Sequence, residues 1–230
     1  MNSSSDGFDM KNRVPKEPGH FITFEGGEGS GKSTQIKLLA DHLRKADFDV
    51  LETREPGGSP NAEAIRQYLL SGMAEGKGPR AEAMLFTAAR MDHVENTIKP
   101  ALNAGTWVLC DRFMDSTRVY QGMDLDTETV DLLEKIAVEK TRPDMTILLD
   151  LPAKQGLQRA LSRDPDGIKD RFEKEDEALH EERRQAFLRL AQSEPKRIAI
   201  IDASKPEHIV DSQVWKACRR RFGIRTPMGV

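Results

Sequence analysis

Apolar residues along the chain follow two alternating patterns. Short runs rich in β-branched and other apolar residues, typical of buried strands, occupy residues 21–25, 49–53, 106–110, 145–149 and 198–201. Between these runs, apolar residues recur at intervals of about three to four positions, as on one face of an amphipathic helix. The alternation predicts an α/β fold with a five-stranded parallel sheet and helices on both of its faces.

Helical spacing is most extended between residues 84 and 98. The apolar stripe there fits either packing on the sheet or a contact face between two copies of the chain. Pro100 is expected to kink or end this helix, because proline lacks the N–H that continues the ladder. The other predicted helices lie around residues 36–43 and 62–69 and over residues 127–140, 175–191 and 206–220.

Neither a repeat nor a low-complexity linker divides the chain, so we expect a single domain over residues 20–222. Residues 1–19 are polar and lack periodicity, which indicates a disordered leader or an upstream start codon with Met10 as the alternative start. Residues 223–230 indicate a loose C-terminal tail. The segment 153–176 is crowded with charge and contains Pro165 and Gly167, which favours a mobile lid.

Composition is typical of a globular protein, with 37% hydrophobic and 32% charged residues among 230. A net charge of −3 with both signs interspersed argues against a nucleic-acid or membrane-surface partner. No apolar run approaches the roughly 18 residues of a membrane span. The two cysteines, Cys110 and Cys218, are read as reduced thiols of a cytoplasmic protein.

One loop carries a specific motif. The residues "GGEGSGKS", 26–33, satisfy G-x-x-x-x-G-K-[ST] between a predicted strand and a predicted helix, the context that this P-loop motif requires. Glycines allow backbone N–H groups to turn inward around phosphate oxygens, and the following helix adds its positive end. The sequence thus predicts a P-loop NTPase fold. The residues expected to bind the triphosphate are Gly26, Gly27, Glu28, Gly29, Ser30, Gly31, Lys32, Ser33 and Thr34.

Two further groups complete the predicted triphosphate site. Lys32 supplies a full positive charge to the β and γ phosphates, and the Ser33 hydroxyl is a candidate Mg²⁺ ligand. Asp111 follows the apolar run of "TWVLCDR", where a second acidic partner for Mg²⁺ is expected. These features alone fit a switch GTPase, a motor or a small-molecule kinase. The chain contains no N-K-x-D guanine motif, and it is short for a motor.

Three clusters fall where an acceptor pocket is expected, beyond the carboxyl ends of the strands. They are "TREPGG" at 53–58, "LFTAARMDH" at 85–93 and "DRFMDSTRVYQG" at 111–122. Arginines such as Arg54, Arg90 and Arg112 suit a monophosphate, and the faces of Phe86 and Tyr120 suit a base. An aromatic residue at helical spacing also fits simple core packing, so that alternative stays open for Phe86.

Together with "RPDMTILLDL", "DRFE" and "IDAS", these motifs resemble the bacterial thymidylate kinase family of the nucleoside monophosphate kinase superfamily, over residues 20 to 215. The resemblance implies transfer of the γ-phosphoryl group of ATP to dTMP, with Mg²⁺, giving dTDP and ADP. It also implies a homodimer. One rival interpretation is a P-loop kinase for dUMP, AMP, GMP or a non-nucleotide acceptor. The other is a nucleotide-binding switch or regulatory ATPase without an acceptor.

The resemblance also implies roles for individual residues. Arg54 and Arg112 would hold the acceptor phosphate. Phe86 would stack on the thymine, and Arg90 would reach a thymine carbonyl. Glu28 would organise Mg²⁺ and the acceptor. The residues lining base and sugar would be Ser116, Thr117, Tyr120 and Gln121.

The source of the catalytic arginine divides the family in two. One pattern places an arginine inside the P-loop, and the other places arginines in the lid. No arginine lies in the loop interior here, so the lid pattern applies and the candidates are Arg159, Arg163 and Arg171. Some relatives carry a further arginine where Leu161 stands, so the choice among the three stays open, as does the alternative that each is a solvated charge.

Overall fold

The computed structural model describes residues 17–163 and 176–224. Its five strands form one parallel sheet in the order β2-β3-β1-β4-β5. The predicted α/β fold is confirmed, and each predicted strand is correct to within one residue at either end. The strands are β1 Phe21–Glu25, β2 Val50–Arg54, β3 Trp107–Asp111, β4 Met145–Asp150 and β5 Ile198–Asp202.

Helices connect and cover these strands. One of them, α5, follows β3 directly and was not predicted, because its seven residues are too few to show a helical period. A short 3₁₀ turn covers Glu75–Lys77 and a π-helical segment covers Val94–Ile98. The α-helices are α1 Lys32–Lys45, α2 Pro60–Leu70, α3 Pro79–His93, α4 Lys99–Asn103, α5 Met114–Tyr120, α6 Thr127–Val138, α7 Ala153–Arg163, α8 Glu177–Ser193 and α9 Glu207–Phe222.

Both faces of the sheet are covered. On β1, Ile22 and Phe24 point to one face, where they pack with apolar residues of α1 and α9. Phe21 points to the other face, where it packs with residues of the π segment and α6. All five residues of β1 are buried, as expected for the central strand of a parallel sheet covered on two sides.

The long helix predicted between residues 84 and 98 does not form a single apolar stripe. Met84 and Met91 are 64% and 42% exposed, whereas Val94 and Ile98 are buried against the sheet. The π segment separates the two groups, and the Lys99 N–H donates to the Val94 carbonyl five residues earlier. Helical structure resumes there as α4, with Pro100 in its first turn, where proline's missing N–H costs nothing. The expected kink is thus a π segment placed before the proline.

The strand register brings the motif-bearing loops together. Phe24 of β1 and Arg54 of β2 both pair with Asp111 of β3. The loops that follow these three strands therefore leave the sheet at the same edge, which is where ligands bind in open parallel α/β sheets. Among the described helices, none is both long and apolar enough to cross a membrane.

Candidate active site

The glycine loop wraps tightly between β1 and α1. Gly29 has a φ of 65° and Gly31 a φ of 92°, in the left-handed region that glycine adopts without strain. A Cβ atom on Gly29 would lie 2.1 Å from the carbonyl oxygen of Gly156 in α7. The loop therefore needs glycine at this position both for its turn and for its contact with the base of the predicted lid.

Lys32 lies folded over its own loop. Its Nζ donates to the carbonyls of Gly26 and Gly27, both at 3.1 Å. Burial lowers the pKa of Lys32, and the positive charge of Arg112 lowers it further. The buried Ser30 hydroxyl faces the same cleft, and it has no hydrogen-bond partner within residues 17–163 and 176–224. Both groups thus stand at the cleft with capacity to bind an anion.

The predicted Mg²⁺ ligands lie side by side. The Ser33 hydroxyl donates to Oδ2 of Asp111 at 2.9 Å, across the gap between α1 and β3. Both residues line the cleft. Two hard oxygen ligands next to a phosphate loop fit Mg²⁺, which typically takes few ligands from the protein and the rest from phosphates and water.

Arg112 occupies a strained position at the centre of the cleft. Its φ of 65° is in the left-handed region, which costs an L-residue about 1–2 kcal/mol, and strain of this kind is enriched at functional sites. The guanidinium donates to Oε1 of Glu28 at 2.5 Å, and to the Gly26 carbonyl and the Ser116 hydroxyl, each at 3.3 Å. Arg112 therefore joins the phosphate loop to the acceptor side of the cleft.

Glu28 is strongly acidic in this setting. Burial by itself would raise the pKa of Glu28, but the positive charges of Arg112 and Lys32 outweigh it and lower this pKa to about 2. The carboxylate is therefore ionised at neutral pH. A ligand that pairs with Arg112 must share this guanidinium with Glu28 or displace Glu28 from it.

Glu25, three residues earlier, has the opposite behaviour. Burial and then the negative charge of Asp115 raise the pKa of Glu25 to about 7, although Arg112 opposes the shift. Its Oε1 accepts from the backbone N–H groups of Phe113 and Ser116 at 2.8 and 3.2 Å, and its Oε2 accepts the Ser116 hydroxyl at 2.7 Å. Glu25 thus fixes the start of α5, a role that the sequence did not suggest. Its place at the carboxyl end of β1 was the available signal.

Arg90 is held rigidly from α3. Its Nε donates to Oε2 of Glu55 at 2.7 Å, one Nη donates to Thr117 Oγ1 at 2.9 Å and the other to the Phe113 carbonyl at 3.1 Å. The guanidinium also lies over the Phe113 ring, 5.2 Å from its centroid. Three of the five N–H groups that an arginine carries are thus engaged, which leaves two for a ligand in the cleft.

The two predicted aromatic residues take different positions. Phe86 lines the cleft and is half-buried, so its ring is not part of the closed core. Tyr120 also lines the cleft, with the guanidinium carbons of Arg112 and Arg183 at 5.2 and 4.4 Å from its ring centroid. Burial raises the pKa of the Tyr120 hydroxyl. Arg183, on α8, was not predicted, and its cationic contact helps to fix the Tyr120 ring.

Thr117 and Gln121 line the cleft as predicted, yet their polar groups contact protein, as those of Ser116 do. Thr117 accepts from Arg90, and the Gln121 amide donates to Glu82 at 3.1 Å. These side chains therefore shape the acceptor side largely by holding other groups in place.

Arg54 lies at the rim of the cleft. It donates to both carboxylate oxygens of Glu63, each at 3.0 Å, and this pair is exposed. Arg66 of α2 also lines the cleft and donates to the Pro56 carbonyl at 2.8 Å. The sequence motifs did not indicate Arg66, because no residue of the same helix was predicted to bind a ligand.

The lid candidates are placed less centrally. Arg159 on α7 donates to the Ala203 carbonyl at 2.9 Å and lies outside the cleft lining. Arg163 ends α7. Arg171, with the rest of the lid tip, falls outside the described residues, as do most of the predicted leader and tail.

Comparisons with known proteins agree with this geometry. A sequence model of the thymidylate kinase family matches residues 24–214. A thymidylate kinase of Bradyrhizobium sp. (strain ORS 278) is 51% identical over 206 residues, which is 89% of this chain and 91% of the relative. One of Nitrobacter hamburgensis is 52% identical over 205 residues, 88% of this chain and 89% of the relative.

A crystal structure of thymidylate kinase from Ehrlichia chaffeensis superposes with a TM-score of 0.69 at 32% sequence identity. The match covers 88% of this chain and 99% of the other. The P-loop, the acceptor cleft and relatives of this similarity lead to one conclusion: the chain belongs to the thymidylate kinase family, and its function is that of a thymidylate kinase, a phosphotransferase that uses ATP.

Proposed function

We propose that the chain transfers the γ-phosphoryl group of ATP to dTMP, and that it does so with Mg²⁺ and with the residues that line the cleft. The observation that supports this most is the Arg112–Glu28 contact, which joins a triphosphate loop to a pocket of arginines and aromatic rings. Donor and acceptor phosphates would meet beside it, in the arrangement that in-line transfer requires.

On the donor side, Lys32 leaves the carbonyls of Gly26 and Gly27 and binds the β and γ phosphates, where it follows the charge that develops on the leaving oxygen. Ser33 and Asp111 would hold Mg²⁺, and Glu28 of the same loop would help to organise the ion. Mg²⁺ would neutralise negative charge on the phosphates. An acceptor phosphate oxygen is already nucleophilic, so the chain needs no strong general base.

On the acceptor side, each of the three arginines has a glutamate partner, and exposure differs among the pairs. Arg54 at the rim and Arg112 at the centre bind the dTMP phosphate, because their pairs are accessible to an incoming anion. Arg90 is already neutralised in a buried pair, which suits it to a neutral carbonyl of the base. Phe86 stacks on the base, while Tyr120 borders the sugar.

The lid supplies the remaining charge. We assign to Arg159, Arg163 or Arg171 the stabilisation of the transferring phosphoryl group, which an arginine arriving on closure provides while excluding water. For Arg159 this requires release from the Ala203 carbonyl. We further propose that residues 20–222 form one domain with its lid at 153–176, a leader at 1–19 and a tail at 223–230.

We also propose that the protein is a cytoplasmic homodimer. Four large apolar side chains are 42–64% exposed on α3 and α6, helices that pack against each other: Met84, Met91, Leu132 and Ile136. Clustered apolar exposure of this kind favours a protein contact. Sedimentation equilibrium tests it: the wild-type chain is expected to be dimeric, and Leu132→Glu monomeric, whereas a monomeric wild type contradicts the proposal.

A coupled assay of ADP release with ATP and Mg²⁺ tests the activity against dTMP, dUMP, UMP, dCMP, AMP and GMP. Strong dependence on dTMP, weaker on dUMP and none on purines is expected. Preference for another monophosphate would keep the phosphate-loop chemistry and overturn the assignment of the acceptor pocket. Hydrolysis of ATP that ignores every acceptor would instead favour a regulatory ATPase.

A further inference from the structure

We infer that Glu55 and His93 form a buried relay that positions and neutralises Arg90, so that Arg90 reads a carbonyl of the pyrimidine base and does not compete for the acceptor phosphate. The inference rests on the proposed function. Glu55 and His93 lie within the motifs at 53–58 and 85–93, but no role was predicted for either of them from the sequence. Both are positioning residues, since they act through Arg90.

Both oxygens of the Glu55 carboxylate take part in the relay. Oε2 of Glu55 accepts from Arg90 Nε at 2.7 Å, and Oε1 contacts Nδ1 of His93 at 3.0 Å. The side chains of Arg90 and Glu55 are 3% and 5% exposed, so water does not compete for these contacts. The Glu55 backbone is fixed as well, because its N–H donates to the Asp111 carbonyl at 2.9 Å.

His93 closes the relay from behind. A carboxylate accepts hydrogen bonds and donates none. Nδ1 of His93 must therefore carry a hydrogen, which it donates to Glu55 in a hydrogen bond. Nε2 lies 2.7 Å from Thr53 Oγ1 and accepts its hydroxyl. The neutral imidazole with this tautomer satisfies both contacts. The His93 ring is fully buried, which keeps it in one orientation.

The turn after β2 is shaped to cover this relay. Gly58 has a φ of 85°, and a Cβ on it would lie 2.3 Å from His93 Nε2 and 2.5 Å from Thr53 Oγ1. Any larger residue would displace the histidine or the hydroxyl. The second glycine of "TREPGG" is therefore explained by the packing of the relay, which gives that motif a role besides its arginine.

The relay has a consequence for specificity. With three N–H groups held by protein acceptors, Arg90 presents only donors to the cleft. A base that offers a carbonyl there is bound, whereas a base that offers an amino group meets donor against donor. Because Glu55 already balances its charge, Arg90 gains little from the dTMP phosphate and stays with the base.

The test uses Glu55→Gln, with calorimetric titration of dTMP and dCMP and a separate kinetic assay. Glutamine keeps the size but removes the negative charge that balances Arg90, and it leaves only one acceptor oxygen for the two contacts that Glu55 makes. We expect the Kd for dTMP to rise about tenfold or more, as for a lost charge-assisted hydrogen bond. The preference for dTMP over dCMP should fall, while the KM for ATP should change less than about twofold.

Two companion variants keep the test decisive. Thr53→Val removes only the hydroxyl behind His93, and we expect a rise of about two- to fivefold in the Kd for dTMP; this variant carries the test if Glu55→Gln does not fold. Glu52→Gln is the matched control on the same strand, because Glu52 pairs with Arg44 at 2.9 Å outside the cleft. It should bind dTMP like the wild type.

The relay is overturned if Glu55→Gln and Thr53→Val bind dTMP as the wild type does, or if the KM for ATP rises as much as the Kd for dTMP. An equal loss in Glu52→Gln would also overturn it, because the effect would then be a general one of the strand. Failure of the wild-type chain to bind dTMP is seen before any variant is made, and would overturn the proposed function together with this inference.

Discussion

The two ends of the cleft are built in different ways. The donor end is one continuous stretch, residues 26–34, whose backbone turns and helix N-terminus form the phosphate site. The acceptor end draws on three stretches of the chain, at 53–58, 85–93 and 111–122, and it relies on side chains held by other side chains. The donor end is therefore local, while the acceptor end depends on the whole fold.

The acceptor arginines differ in how firmly they are held. A buried ion pair is costly to break because it leaves an uncompensated charge, whereas an exposed pair exchanges partners at little cost. The more deeply an arginine–glutamate pair is buried, the more firmly its arginine stays with the protein, and the more exposed the pair, the more easily its arginine turns to a phosphate. The side-chain exposures are 3% and 5% for Arg90–Glu55, 18% and 21% for Arg112–Glu28, and 52% and 37% for Arg54–Glu63.

The largest effect is expected at the donor end. Lys32→Ala removes the one positively charged side chain of the phosphate loop, and we expect kcat to fall by about 10²–10³, the range seen when one stabiliser of developing charge is lost. The measurement is kcat and KM for ATP and dTMP. Lys37→Ala, an exposed lysine of the same helix, is the control. Turnover of Lys32→Ala close to the wild type would contradict the donor assignment.

Arg112→Ala tests the point where the two ends meet. We expect kcat/KM for dTMP to fall by about 10², because the variant loses a phosphate contact and leaves Glu28 as an uncompensated negative charge in the cleft. Adding Glu28→Gln should recover part of the loss, since it removes that charge. If the two substitutions combine additively, Arg112 and Glu28 do not act as a pair. Arg142→Ala, a half-exposed arginine outside the cleft, is the control.

The next largest effect is expected in the lid. Arg159→Ala is expected to lower kcat by about tenfold and to raise the KM for ATP less, because a contact made mainly in the transition state affects kcat first. Steady-state kinetics with varied ATP measures the split. Lys154→Ala, at the exposed start of the same helix, is the control. An effect on the KM for ATP alone would indicate that Arg159 stays near Ala203 and holds the nucleotide there.

How far the sequence predicted the site follows the same division. Candidates for the donor end could be named residue by residue, because its glycines, Lys32 and Ser33 are adjacent in the chain and their spacing carries the geometry. The five strands were equally accessible, since a buried parallel strand is a short apolar run. Both features depend on neighbours in sequence.

The acceptor end was predicted only in part. Arg90 and Arg112 were identified, but not Glu25 or Glu55, because a carboxylate that orients another side chain leaves no pattern of its own in the sequence. The helical period also did not decide whether Met84 packs on the sheet or lies on a contact face, and the structure shows its side chain exposed. A π segment changes which face of the helix is buried, and a regular helical period does not anticipate it.

Glu25 and Glu28 allow a comparison by pH. The pKa of Glu25, raised from 4.5 to about 7, means that the folded state binds this proton more tightly, so Glu25 lowers the free energy of unfolding as pH rises from 4.5 to 7. The pKa of Glu28, lowered to about 2, means that its contribution is present above pH 4.5 and is lost as pH falls towards 2.

Urea unfolding at several pH values measures both effects. Relative to the wild type, the free energy of unfolding of Glu25→Gln should increase between pH 5 and 8, by up to about 3 kcal/mol. Glu28→Gln should be less stable than the wild type at neutral pH, and this difference should disappear below pH 4. Glu95→Gln, on an exposed glutamate, should follow the wild-type curve. If the free energy of unfolding depends on pH in the same way for all four proteins, the pKa values of Glu25 and Glu28 are not shifted apart by their surroundings.

The smallest effect is expected at the rim of the acceptor end. Arg54→Ala removes an arginine whose pair with Glu63 is exposed, and exposed pairs contribute only about 0.2–1 kcal/mol. We expect the KM for dTMP to rise about threefold to tenfold, since a dianionic phosphate attracts Arg54 more than one carboxylate does. The effect should weaken at high salt, as it does for exposed charges.

Glu63→Gln should lower the KM for dTMP slightly, because it frees Arg54 for the phosphate. If Arg54→Ala lowers kcat/KM for dTMP as much as Arg112→Ala does, the exposure of an arginine does not predict its contribution to dTMP binding. The rim would then close over the acceptor when it binds.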